Sequence, residues 1–185
     1  MTAPAPAFVN AGDYWTCRGC GTPARETARY CTSCGRPRDG ARRGGWRLEL
    51  VGAHGGAGTS TIAAISGLAE STASRPQASS TTSYVIVART SASGLTAARH
   101  LLREAVLQSQ ADVLGLVLVP DAPGRLPKPL RELVDLTTGA APRVWTARWV
   151  EDLRFATEPP HTVPAPLQNL VTSLTQLRPG HQARS

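Results

Sequence analysis

Lysine is almost missing from this sequence: Lys128 stands alone among 185 residues, against nineteen arginines. A bias that strong weakens any argument from arginine content by itself. No run of eighteen apolar residues occurs, which excludes a membrane-crossing helix. The first residues, MTAPAPAFVNAGD, lack a basic stretch followed by an apolar core, so they do not read as a secretory signal, and a cytoplasmic protein is the expectation. His54, His100, His161 and His181 are scattered without metal-ligand spacing. Ser91 and Ser93, in RTSASG, do not form the G-x-S-x-G turn of a serine hydrolase.

What is present is unevenly distributed. The formal charge is +7. Residues 1–47 hold eight Arg against Asp13, Glu26 and Asp39, a net +5, and the remainder carries +2. All four cysteines fall in that basic part, within CRGCGTPARETARYCTSCG. The two C-x2-C pairs, ten residues apart, can each present two thiolates to one tetrahedral ion. Without a secretion signal, disulfides are disfavoured. Cys17, Cys20, Cys31 and Cys34 are therefore expected to hold a structural Zn²⁺. Four ligands leave no open position for catalysis, and so short a segment depends on the metal to fold. It is similar to the short zinc ribbons of many bacterial proteins, a likeness that points to metal but to no particular partner. A protein-docking or merely solvated module is the preferred reading of this segment; the surrounding arginines, with Trp15 and Tyr30, make DNA or RNA binding the alternative.

After the charged, Gly-rich stretch that follows, the pattern changes to alternating strands and helices. Strands are expected at 46–52, 84–88, 113–119 and 143–147. Helices are expected at 59–70, 94–108, 128–136 and 166–177, with a polar, low-complexity loop at 71–83. The order predicts an α/β domain: a small parallel sheet with helices on both faces. Trp145, Trp149 and Phe155 are read chiefly as core. The chain divides into a disordered N-terminus (1–14), a zinc ribbon (15–37), a linker (38–45), the α/β domain (46–178) and a disordered tail (179–185).

The first strand-to-helix turn, LELVGAHGGAGTSTIAA, carries the chemistry. Gly55, Gly56 and Gly58 let successive N–H groups turn inward, and the helix from Thr59 adds its positive end. The Ser60 hydroxyl is placed for Mg²⁺, but Thr59 occupies the position where such a loop carries its phosphate-binding lysine. The candidate nucleotide site is Gly55, Gly56, Ala57, Gly58, Thr59 and Ser60, for ATP or GTP with Mg²⁺. His54 is expected as a neutral polar residue at the loop mouth. Arg89 and Arg125 are candidates for a substitute cation that spacing alone does not choose between.

The turn resembles the deviant Walker A loop of the ParA/MinD family of P-loop NTPases, G-K-G-G-x-G-K-[ST], with His54 and Thr59 in place of both lysines and Ala53 in place of the leading glycine. The likeness extends through VIVARTSASGLTAARHLL, LGLVLVPD and PRVWTARWVEDLRFA, the last resembling the segment that ends near the nucleotide base. The family places two strands and a Walker B aspartate between the first helix and the VIVA strand; here only the Ser/Thr-rich loop is expected. Asp121 reads either as a Mg²⁺ partner or, by preference, as a turn residue before Pro123-Gly124. The resemblance implies a contracted P-loop domain without its catalytic lysine, a non-catalytic or weakly nucleotide-binding regulator or adaptor working with another protein. An active ATPase or GTPase with unusual loop chemistry, and a nucleic-acid-binding protein led by the zinc ribbon, are the alternatives.

Overall fold

Six consecutive residues, Ser83 to Ala88, are buried in the strand Thr82–Arg89, as a strand covered on both faces requires. That strand is the middle of the larger part of a computed structural model, which describes residues 14–17, 20–25, 33, 46–79, 81–105, 107 and 111–177. Contacts divide the chain into two units, separated at Gly45/Trp46. Cys31, Cys34, the 38–45 linker and the 179–185 tail lie outside the described residues.

In the first unit, β1 (Tyr14–Thr16) pairs antiparallel with β2 (Pro23–Arg25), Trp15 opposite Ala24. Tyr14, read as the end of a disordered segment, is thus part of a strand; the rest of that segment lies outside the described residues. The hairpin is closed by a turn around the first cysteine pair. Cys17 N–H donates to Thr22 O at 3.0 Å, and Gly21 N–H donates to Cys17 O at 2.8 Å. Cys17 is buried and Cys20 exposed.

The second unit runs β3 (Arg47–Gly52), α1 (Thr59–Ser66), β4 (Ala69–Glu70), β5 (Thr82–Arg89) and α2 (Ala92–Glu104). It continues through β6 (Asp112–Val119), α3 (Lys128–Thr138), β7 (Val144–Thr146) and α4 (Asp152–Phe155). It ends in a 3-10 turn (Ala165–Leu167) leading into α5 (Gln168–Thr175). The five strands form one parallel sheet in the order β4-β3-β5-β6-β7. Alternation along each strand sorts the side chains. Leu48, Leu50, Val85, Val87 and Val117 face α1 and α5, whereas Val51, Ile86, Leu116 and Leu118 face α2 and α3. The expected parallel α/β sheet with a helical layer on each face is what the chain forms.

Three readings need correction. The first helix stops at Ser66, because Gly67 takes a left-handed conformation and its N–H caps Ala63 O. The chain then adds the two-residue edge strand β4 at Ala69–Glu70, where the helix was expected to continue. Phe155 is 72% exposed, with the Arg154 guanidinium over its ring, so it is not core; Trp145 does pack against the apolar cluster. At the opposite end of the sheet from the glycine loop, Trp46 Nε1–H donates to Ser83 Oγ at 2.8 Å, and Ser83 in turn donates to the Asp112 carboxylate.

The last helix has no sheet strand to hold it and relies on packing. Leu174 is fully buried among Leu50, Ile62 and Val85 of the α1-side cluster. Leu174→Ala is expected to cost about 3 kcal/mol, from lost transfer energy plus a cavity. A urea melt of the full chain measures it, and a cost below about 1 kcal/mol would mean that α5 is not part of the cooperative core.

Candidate functional site

The chain leaves β3 toward α1 on one face of the sheet and leaves the adjacent β5 toward α2 on the other. Neighbouring parallel strands whose crossovers part in this way leave a crevice at their carboxyl ends, where ligands bind in open α/β sheets. The glycine loop is one wall of it. Gly56 and Gly58 have φ of +76° and +90°, a left-handed backbone that suits glycine. Gly55 does not share it, and a Cβ there would meet nothing within 4 Å. The three glycines, equal on paper, are therefore not equal in the fold.

Gly58 is the N-cap of α1 but supplies no side chain, and the first turn has no acidic residue. By contrast, α2 is capped by Ser91, whose Oγ accepts from Gly94 N–H at 3.2 Å. That bond is the observed use of Ser91. The start of α1 thus keeps its positive end without a side-chain acceptor. Thr59 does not extend over the loop as a lysine would. It is 5% exposed, and its Oγ1 fills the space that a Cβ at Gly52 would need, 2.6 Å from that position. Ser60 is exposed at the helix start.

In front of the loop lies an open cavity of about 540 Å³, lined by residues of 52–61 and 70–74 and by Arg89. Part of the segment read as featureless loop is thus its far wall, tied to the sheet by Ser71 N–H donating to Leu50 O at 2.8 Å. A second cavity of about 170 Å³ adjoins it, between the ends of β6 and β7 and α4. Val119, Pro120, Trp149, Val150 and Leu153 give that cavity an apolar side with one aromatic ring, and Arg148 and Arg154 add a polar border. Gly58, Thr61 and Arg89 border both. Trp149 is oriented by its indole N–H, which donates to Glu151 Oε2 at 2.6 Å.

Two residues of the crevice were only half-legible in sequence. His54 is a strut: its Nε2 accepts from Arg89 N–H at 3.3 Å, leaving Nδ1–H to donate to Gly55 O at 2.8 Å. Arg89 comes from the end of β5, and its Nε–H donates to Gly56 O at 2.8 Å. Its Nη1 also lies 3.4 Å from Asp121 Oδ1, and Asp121 N–H donates to Thr90 Oγ1 at 3.1 Å. Of the two arginines weighed, Arg89 is the one at the loop, and Asp121 is its partner. The available signal was position, since Arg89 ends the buried VIVA run and so lies at the carboxyl edge of the sheet.

The cysteines fall in the other unit. Cys17 and Cys20 both lie between β1 and β2, Cys17 buried and Cys20 exposed, while Cys31 and Cys34 lie outside the described residues. Among the described residues, no group of three or more His, Cys, Asp or Glu is placed to hold a metal ion, and no helix is long and apolar enough to cross a membrane.

The chain belongs to DUF6668, a family of unknown function, whose family model matches residues 46–171. That span contains the glycine loop, Arg89, Asp121 and the Trp149 cavity, and excludes the cysteines. No curated protein and no solved structure matches the chain.

Proposed function

We propose that this protein is a non-catalytic, weakly nucleotide-binding regulator or adaptor of ParA/MinD-like descent, with a structural Zn²⁺ on its N-terminal module. One observation carries the nucleotide reading: a glycine loop and a helix start without a side-chain cap face a cavity that continues, past Gly58 and Arg89, into a smaller one bordered by Trp149. The larger space lies within the usual range for small-molecule sites, and the smaller one is about the size of a single aromatic ring. A phosphate chain at Gly55–Ser60 with its base beside Trp149 accounts for both. Ser60 would meet Mg²⁺.

The non-catalytic half rests on charge. Phosphoryl transfer needs cations fixed where negative charge develops. Thr59 offers none and is buried, and the cation beside the loop, Arg89, is tied to Gly56 O and leans on the Asp121 carboxylate, which offsets its charge. Binding by amides and a helix end without catalysis suits a protein that senses a nucleotide, or keeps the fold of one that did, and acts on another protein. For zinc, Cys17 and Cys20 between β1 and β2 would supply two thiolates, with Cys31 and Cys34 completing the set.

Titrating the full chain with fluorescent ATP and GTP, with and without Mg²⁺, tests the reading. Saturable binding is expected, with Kd roughly between 10 μM and 1 mM. Gly58→Ala should weaken it about tenfold, because a Cβ at φ +90° forces the amides out of line. No phosphate release above background is expected. Absence of binding up to millimolar nucleotide would remove the site, and turnover abolished by Ser60→Ala would replace the regulator with an NTPase.

A further inference from the structure

We infer that Arg89 supplies from the neighbouring strand the cation that the glycine loop lacks, and that Asp121 holds it in reserve, so that an incoming phosphate must displace a carboxylate. The inference rests on the nucleotide reading above and adds a latch to that site.

The argument begins from the hydrogen bonds. A guanidinium has five N–H donors in a planar fork. In Arg89 the Nε–H is fixed on Gly56 O at 2.8 Å, which ties the arginine to the loop it would serve. Nη1 leans on Asp121 Oδ1 at 3.4 Å, a long contact. Among the described residues, Nη2 has no hydrogen-bond partner, and the side chain borders both cavities. One edge of the fork therefore belongs to the protein, one corner is loosely occupied, and the rest is available to a ligand.

The ion pair is weak enough to exchange. The Arg89 and Asp121 side chains are 38% and 50% exposed, so water and salt screen their attraction. A polyphosphate offers more charge and several acceptors in place of one distant carboxylate oxygen, and Arg pairs well with phosphate in a forked geometry. The main chain at Asp121 is held by its N–H donating to Thr90 Oγ1 at 3.1 Å, so only the half-exposed carboxylate has to turn away into solvent when the arginine is released. The latch sets weak binding and a requirement for a multiply charged ligand: inorganic phosphate has little to gain by displacing it, and a triphosphate much.

Four full-length proteins decide the matter: wild type, Arg89→Gln, Asp121→Asn and the double variant, each titrated calorimetrically with inorganic tripolyphosphate. Arg89→Gln should weaken binding about tenfold or more, the loss of a charge-assisted pair. Asp121→Asn should tighten it about threefold, the scale of an exposed ion pair. In the Arg89→Gln background, Asp121→Asn should have almost no effect. A purely structural role cannot give this pattern, since damage does not tighten binding. Arg89→Lys keeps the charge without the fork and should fall between wild type and Arg89→Gln. If wild type binds tripolyphosphate but the two single changes leave affinity alone, or add independently, the latch is wrong and the nucleotide reading stands. If neither wild type nor Asp121→Asn binds tripolyphosphate or nucleotide, both fall.

Discussion

Gly94→Ala is expected to cost about 3 kcal/mol, at the upper end for overpacking, and to abolish ligand binding at the crevice. Gly94 sits in the first turn of α2, directly under the site. A Cβ there would lie 2.5 Å from Arg89 O, 2.7 Å from His54 Nε2 and 3.0 Å from Ser91 Oγ. The nearest atom is backbone and has no rotamer to adopt. Relief requires the end of β5 to separate from α2, or the His54 ring to leave its bond with Arg89 N–H. Either movement carries Arg89 away from Gly56, so stability and binding should fall together. Thermal melting should show a drop of about 10 °C for a domain of this size. Gly55→Ala is the control: it meets nothing within 4 Å and should shift stability by less than about 0.5 kcal/mol. Equal tolerance of both alanines would mean that α2 does not approach the loop as closely as described.

Removing the proposed Zn²⁺ from the full chain is expected to have the larger effect on the first unit. Strands of three residues each bury too little to hold a hairpin by themselves, and Cys17 and Ala24 are its only described apolar residues that are fully covered. A structural Zn²⁺ contributes on the order of 10–16 kcal/mol in comparable small modules. A strong chelator should therefore release one equivalent of zinc and collapse the dispersion of the Trp15 and Ala24 NMR signals. Cys17→Ser should do the same without chelator. Purified protein that contains no zinc when grown in zinc-replete medium, or whose cysteines are joined as disulfides by mass spectrometry, would overturn the assignment.

How much of this was legible in the sequence depends on the range of the interaction involved. Apolar runs such as YVIVA and VLGLVLV announced buried strands, and the Leu spacing of GLTAARHLLREAVLQ announced a helix, because burial on two faces or one leaves a short-period trace. The turn at GAHGGAGTS was legible because glycine and a helix start are local. Helix ends were less so: Gly67 ends α1 four residues before the polar stretch that seemed to mark its limit. The strand β4 was missed because two residues carry no period, and Phe155 was misjudged because an aromatic ring reads as core until its surroundings are known.

The sequence by itself determined the order of the four longer strands and the four longer helices of the second unit, the parallel α/β class and a strand-to-helix glycine turn without a lysine, since each depends on residues within one turn or one strand. Only the tertiary structure decided that β5 lies beside β3, that their crossovers part to open a crevice, and that Arg89 and Asp121 meet there. Arg89 lies 33 residues beyond Gly56, and Asp121 a further 32. Parallel strands are joined by backbone hydrogen bonds that every residue can make, so local pattern does not encode which strand becomes whose neighbour. That choice, settled by the packing of whole layers, is what places an arginine at a loop whose own sequence offers no cation.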